Sequence, residues 1–183
     1  MKPSADREII LSDLAYLIDE LEALKSVIDA IPYRDRPMEQ ESVLDIVSHI
    51  DSVQSVFLEK IVRKCVIDDD GASPIAVEVN LGIVLQPETN PAGKTDRHAD
   101  PAANAEPDET LFDLIIANRK ELLVLLETHQ KRTGNRKIVA RDREWLFYDI
   151  LQELVTLDRD QLRKVAERVQ AIDTDRSIKP ESH

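Results

Sequence analysis

The residues of this 183-residue chain whose types first suggest chemistry are a single thiol, four histidines, a short glycine-lysine-threonine stretch and an aromatic cluster. Cys65 would act as a nucleophile only beside a base. On one straight helix the 16 residues to His49 span about 24 Å, so those two form no dyad there. Between Val62, Val66 and Ile67 the thiol reads as a small apolar filler. Ala92 to Thr95 (AGKT) follows the apolar run Ile75 to Leu85 and resembles the end of a phosphate-binding loop. The position of its first glycine is held by Glu88, however, and no helical pattern follows, so both contexts that motif needs are missing. Asn118, Arg119 and His129 either line a small pocket for a carboxylate- or thiol-bearing ligand, or Asn118 fixes packing register while His129 reaches solvent at a helix end. Trp145, Phe147 and Tyr148 bring three of the seven aromatics together. Phe147 is expected to point inward, leaving Trp145 or Tyr148 for a pocket rim, a subunit interface or the closure of one end.

These residues must be positioned by helices. The chain is 42% hydrophobic and 33% charged with only four glycines, a composition unlike a disordered segment or a glycine-punctuated β-sandwich. From Ser4 to Ile31, Ile10, Leu14, Leu17, Leu21, Leu24, Ile28 and Ile31 recur every three or four residues, which predicts a first helix over 5–31. A second, over 42–64, opens at Ser42 with Asp45 placed for a capping box and carries Val43, Ile46, Val47, Ile50, Val53, Phe57 and Ile61 on one face. A third, over 108–132, has the seam Leu111, Leu114, Asn118, Leu122, Leu125 and His129, widened by Ile115, and is broken by Gly134 and Asn135. A fourth, over 142–172, gathers Phe147, Leu151, Leu154, Leu162, Val165, Val169 and Ile172, with Asp158 on the same face. The charged runs Arg141 to Glu144 and Asp158 to Asp160 read as solvated helix faces.

Residues 66–107 read as a linker inserted between the second and third helices, with three of the four glycines and five of the nine prolines. Ile75 to Leu85 suits an extended segment lying along the helices. Gln86 to Thr110 has no large apolar residue to bury and is expected to be flexible, as is the polar tail 176–183. A connection of this length lets the second and third helices run parallel, because it can return along a helix roughly 35 Å long.

Charge and leader signals narrow the function classes. Twenty-four Lys and Arg against 36 Asp and Glu give a net charge of −12, the wrong sign for nucleic acid or an anionic membrane surface. One cysteine permits no internal disulfide, and Lys2, Asp6, Arg7 and Glu8 occupy the place of a signal peptide's apolar core. A cytoplasmic protein without a membrane span is the expectation.

Three stretches, Arg36 to Val53 (RPMEQESVLDIVSHIDSV), Leu111 to Leu126 (LFDLIIANRKELLVLL) and Ile150 to Val165 (ILQELVTLDRDQLRKV), resemble in order and spacing the DinB-like superfamily of metal-dependent proteins, related to YfiT and to the thiol-dependent transferases. The resemblance spans about 130 residues. It implies an all-α fold, a DinB/YfiT-like four-helix bundle with a long crossover between helices 2 and 3, within a single domain over 1–175. Members of that superfamily with an intact site bind a divalent metal through one histidine of the second helix and an HxxxH pair of the fourth. The resemblance places His49 at the first ligand position and Leu157 and Gln161 at the other two, so two imidazoles are missing. His98, His129 and His183 do not restore the set.

Two arrangements then remain for the interior. His49, Asp158 and Gln161 form a reduced site for a divalent ion such as Zn, Ni, Mn or Fe, the carboxylate favouring a harder cation. Alternatively they belong to a polar core network in which His49 and Asp158 satisfy each other, or Asp158 faces solvent. The resemblance accordingly implies a homodimeric bundle, non-catalytic or of unassigned activity, that binds a partner or small ligand without a cofactor. The other reading is a metal-dependent hydrolase or thiol S-transferase built on His49, with Asp158 and Gln161 as substitute ligands.

Overall fold

The computed structural model describes residues 3–28, 41–68, 73–86, 108–134 and 136–178. It is mostly helical, with one small sheet. The long helices are α1 (Pro3–Ile28), α2 (Val43–Phe57), α5 (Asp108–Thr128) and α7 (Phe147–Ile178). A π-helical turn (Leu58–Val62) carries α2 into α3 (Arg63–Ile67), and α4 (Leu81–Val84) and α6 (Gln130–Thr133) are single turns. The sheet holds β1 (Ile75–Ala76), β2 (Lys137–Val139) and β3 (Glu144–Leu146) in that order, β1 parallel to β2 and β2 antiparallel to β3.

The expected apolar faces of the first two helices are the buried ones, from Ile10 to Leu21 and from Val43 to Ile61. Ser42 closes a full capping box: its hydroxyl accepts the Asp45 amide at 3.1 Å while the Asp45 carboxylate accepts the Ser42 amide at 2.9 Å. Both α1 and α2 pack on α5 and on α7, so α5 and α7 oppose each other across the interior. Lys25 on Asp113 and Arg7 on the Leu126 carbonyl make α1 and α5 antiparallel. Gln54 on the Ile115 carbonyl, Arg63 on Glu121 and Arg132 on the Val66 carbonyl make the second and third long helices parallel, the arrangement that needs a long connection.

Several expectations need correction. The fourth helix begins at Phe147, not near residue 142, because Lys137 to Leu146 folds back as the β2–β3 hairpin; the run Arg141 to Glu144 lies in its turn and at the start of β3, not on a helix face. Trp145 is 6% exposed and packs inward. The inserted segment is structured at its start: helix continues to Ile67, β1 joins the sheet, and Ile75, Val77, Leu81 and Leu85 enter the core. Residues 87–107, including AGKT and His98, lie outside the described residues, as do 29–40 and 179–183. Helix α7 runs on to Ile178, beyond the expected start of the tail.

Candidate functional site

The core divides in two. One cluster joins Ile18, Leu21, Val43, Ile46, Val47, Ile50, Phe112, Ile115, Ile116, Val165 and Ile172. The other runs from Ile10, Leu14 and Leu17 through Val53, Phe57, Leu122 and Leu126 to Phe147, Leu154 and Leu157. At the junction each of three helices contributes polar side chains: Gln54, Arg119, Asp158 and Gln161, all buried.

Arg119 organises this layer. Its Nη2 lies 2.7 Å from Asp158 Oδ2, with the two side chains 0% and 5% exposed, so a guanidinium from α5 crosses the interior to a carboxylate on α7. Arg119 Nε donates to Gln54 Oε1 at 2.8 Å, and Gln54 Nε2 donates to the Ile115 carbonyl at 2.8 Å. Three helices are thereby tied at one level. Burial pushes the Asp158 carboxyl above its ordinary value, and the neighbouring Arg119 opposes that shift by favouring the charged form.

The third-helix seam is corrected by the same residue. The buried face of α5 is Phe112, Ile115, Ile116, Arg119, Leu122 and Leu126, while Leu114 is 49% exposed and Asn118 half-buried. A charged residue at the centre of the face turned the apparent stripe toward Asn118. Gln54 and Arg119 both carry a signal in retrospect. Gln54 falls four residues after Ile50 and three before Phe57, and Arg119 falls four after Ile115 and three before Leu122, inside stripes that are otherwise apolar.

The expected site residues divide accordingly. Asp158 and Gln161 are both buried, three residues apart on α7, and Leu157 is an ordinary core residue. His49 is half-buried on α2, five residues before Gln54 and so about 140° around the helix from it. The Asp158 carboxylate that was to serve a cation faces a guanidinium instead. Among the described residues, no group of three or more His, Cys, Asp or Glu side chains is arranged to hold a metal ion. Arg119 and Asp158 thus form an internal ion pair in this layer.

The other candidates are structural in their surroundings. Cys65 is fully buried, and burial pushes its thiol up to about 11. His129 is half-buried at the α5–α6 junction, where its carbonyl accepts the Thr133 amide and hydroxyl. Tyr148 packs half-buried against the core. A second polar centre stands at the sheet end. Arg136, with its side chain enclosed, donates from Nε to the Ser73 carbonyl at 2.9 Å and from Nη1 to the Cys65 carbonyl at 3.4 Å, and pairs with Asp68. Close by, the Asp142 carboxylate accepts the Leu81 and Gly82 amides at 3.0 and 3.2 Å and the Trp145 indole N–H at 3.1 Å. Partial burial raises the Asp142 carboxyl, but these donors and its own backbone amide outweigh that and hold it below its ordinary value.

No helix among the described residues is long and apolar enough to cross a membrane. Comparison with protein-family models, curated proteins and solved structures finds no match to the chain.

Proposed function

We propose that the chain is a DinB-like four-helix bundle with a long crossover, in which an internal Arg119–Asp158 ion pair has replaced the metal centre, and that it works by binding a partner or ligand rather than by catalysis. The observation that carries this reading is the fully enclosed Arg119 guanidinium 2.7 Å from Asp158. A divalent ion at Asp158 would stand beside a fixed positive charge in a low-dielectric interior, where like charges repel strongly. Gln54 holds the guanidinium from its other side, so the arginine has a defined place to be. The order of the helices and the long connection between two parallel ones agree with the same reading.

The test is metal loading. Purified untagged protein incubated with zinc, nickel or manganese and desalted is expected to retain far less than one equivalent, with no appreciable rise in melting temperature. Retention near one equivalent, with a melting rise of several degrees that His49→Ala abolishes, would overturn the proposal, because saturating binding to the folded state must stabilise it.

A further inference from the structure

The polar layer at the junction of the two core clusters leaves hydrogen-bonding capacity unspent. A guanidinium carries five N–H donors. Arg119 uses one of them, from Nε to Gln54, while its Nη1 and Nη2, both enclosed, complete no hydrogen bond among the described residues. Asp158 Oδ2 is in the same condition. It stands 2.7 Å from Nη2, close enough for the two charges to attract, yet the contact is not aligned as a hydrogen bond. Gln161 follows Asp158 by three residues on α7 and brings a carboxamide to the same face. None of the three reaches the surface, with Arg119 0%, Asp158 3% and Gln161 2% exposed. Buried polar groups in folded proteins are paired with protein or with ordered water, so unmet donors and an unmet acceptor at one level of the interior call for a common partner.

The two charges select that partner. A cation is repelled by the guanidinium, an anion by the carboxylate, and an apolar group bonds to neither. What fits is neutral, accepts from an N–H and donates to a carboxylate, and the smallest molecule that does both is water. We propose that this layer is a binding site for an internal water, which accepts from Arg119 Nη1 and donates to Asp158 Oδ2, with the Gln161 carboxamide as its third partner. Three polar partners are the usual complement of a buried water. Bound there, the water fixes the plane of the guanidinium from the Nη1 side while Gln54 fixes it from Nε, so the arginine is held at both ends of its fork. One enclosed water is not bulk solvent: it meets hydrogen bonds without hydrating either charge, and the two charges still depend on each other. This water presupposes the ion-pair reading of the layer, whereas a dry layer would leave that reading standing.

The probe is water itself. A crystal structure of the chelator-treated full chain, at a resolution that shows ordered water, is expected to hold a density peak about 2.7–3.2 Å from both Arg119 Nη1 and Asp158 Oδ2. In solution, oxygen-17 relaxation dispersion counts long-lived internal waters; a chain of this size holds several, so the difference between variants is what is read. Arg119→Leu/Asp158→Leu, which makes the layer apolar, should lose about one such water relative to the unaltered chain. Lys120→Met, on a side chain that is 57% exposed, should lose none. Should the double variant not fold, the density in the unaltered chain decides alone. A layer without the peak, or a water count that the double variant leaves unchanged, overturns the proposal. So does a peak with protein ligands about 2.0–2.2 Å away, and that result alone would also overturn the ion-pair reading, because such distances belong to a bound metal ion.

Discussion

Arg119 and Arg136 are both enclosed, yet Arg119 faces a carboxylate that is itself only 5% exposed, whereas Asp68, the partner of Arg136, is 38% exposed. Arg136 also spends its donors on two backbone carbonyls, at Ser73 and Cys65. The comparison separates two uses of a buried charge. At the sheet end the arginine acts as a latch whose anion is still hydrated. In the interior both charges have left water, so neither can be removed alone without stranding the other.

That contrast orders the expected effects. Arg119→Leu should be the most damaging single change, costing about 3–5 kcal/mol in urea denaturation because Asp158 is left charged and enclosed. A loss under 1 kcal/mol would mean that water reaches the carboxylate. Arg136→Ala should cost about 2–3 kcal/mol, since three acceptors lose a charged donor. It should also raise amide hydrogen exchange in β1 and β2 more than in α5; uniform exchange would deny a local latch.

The two aspartates contrast in pH dependence as well. The Asp142 carboxyl is depressed, so its stabilising contribution is complete above the ordinary aspartate value of about 3.9 and drains away as pH falls through the lower folded value. Asp158 is raised, so its contribution is present below about 3.9 and is lost as pH rises through the higher folded value. Asp142→Asn should therefore flatten the acid limb of a stability–pH curve, while Asp158→Asn should flatten the limb above it. Titration curves unchanged by either variant would contradict these assignments. Ser42→Ala, which removes only one half of a capping box, should cost about 1 kcal/mol by thermal unfolding.

Much of the helical frame was legible because α1 and α2 bury stripes that are apolar apart from Gln54, and the Ser42–Asp45 box marks a helix start within four residues of sequence. The face of α5 was misread for a physical reason: a buried guanidinium and a solvated one look alike in sequence, and only Gln54 and Asp158 across the interior tell them apart. The hairpin was missed because three residues per strand are too few for alternation to appear, and its turn, Ala140 to Arg143, contains no Gly, Pro or Asn. Asp142 supplies what those residues would have signalled, since it binds the backbone of α4 and the indole of Trp145 together. For the candidate site, the inward position of Asp158 could be read from its helix, but its partner could not.

The most direct test of the central claim is a double-mutant cycle on Arg119 and Asp158, with each residue and then both replaced by Leu and stability measured by urea denaturation. An enclosed Arg119–Asp158 ion pair predicts that the double variant recovers most of what either single variant loses, a coupling of about 3 kcal/mol. Additive losses in the double variant would show that the two charges do not depend on one another and would contradict the account.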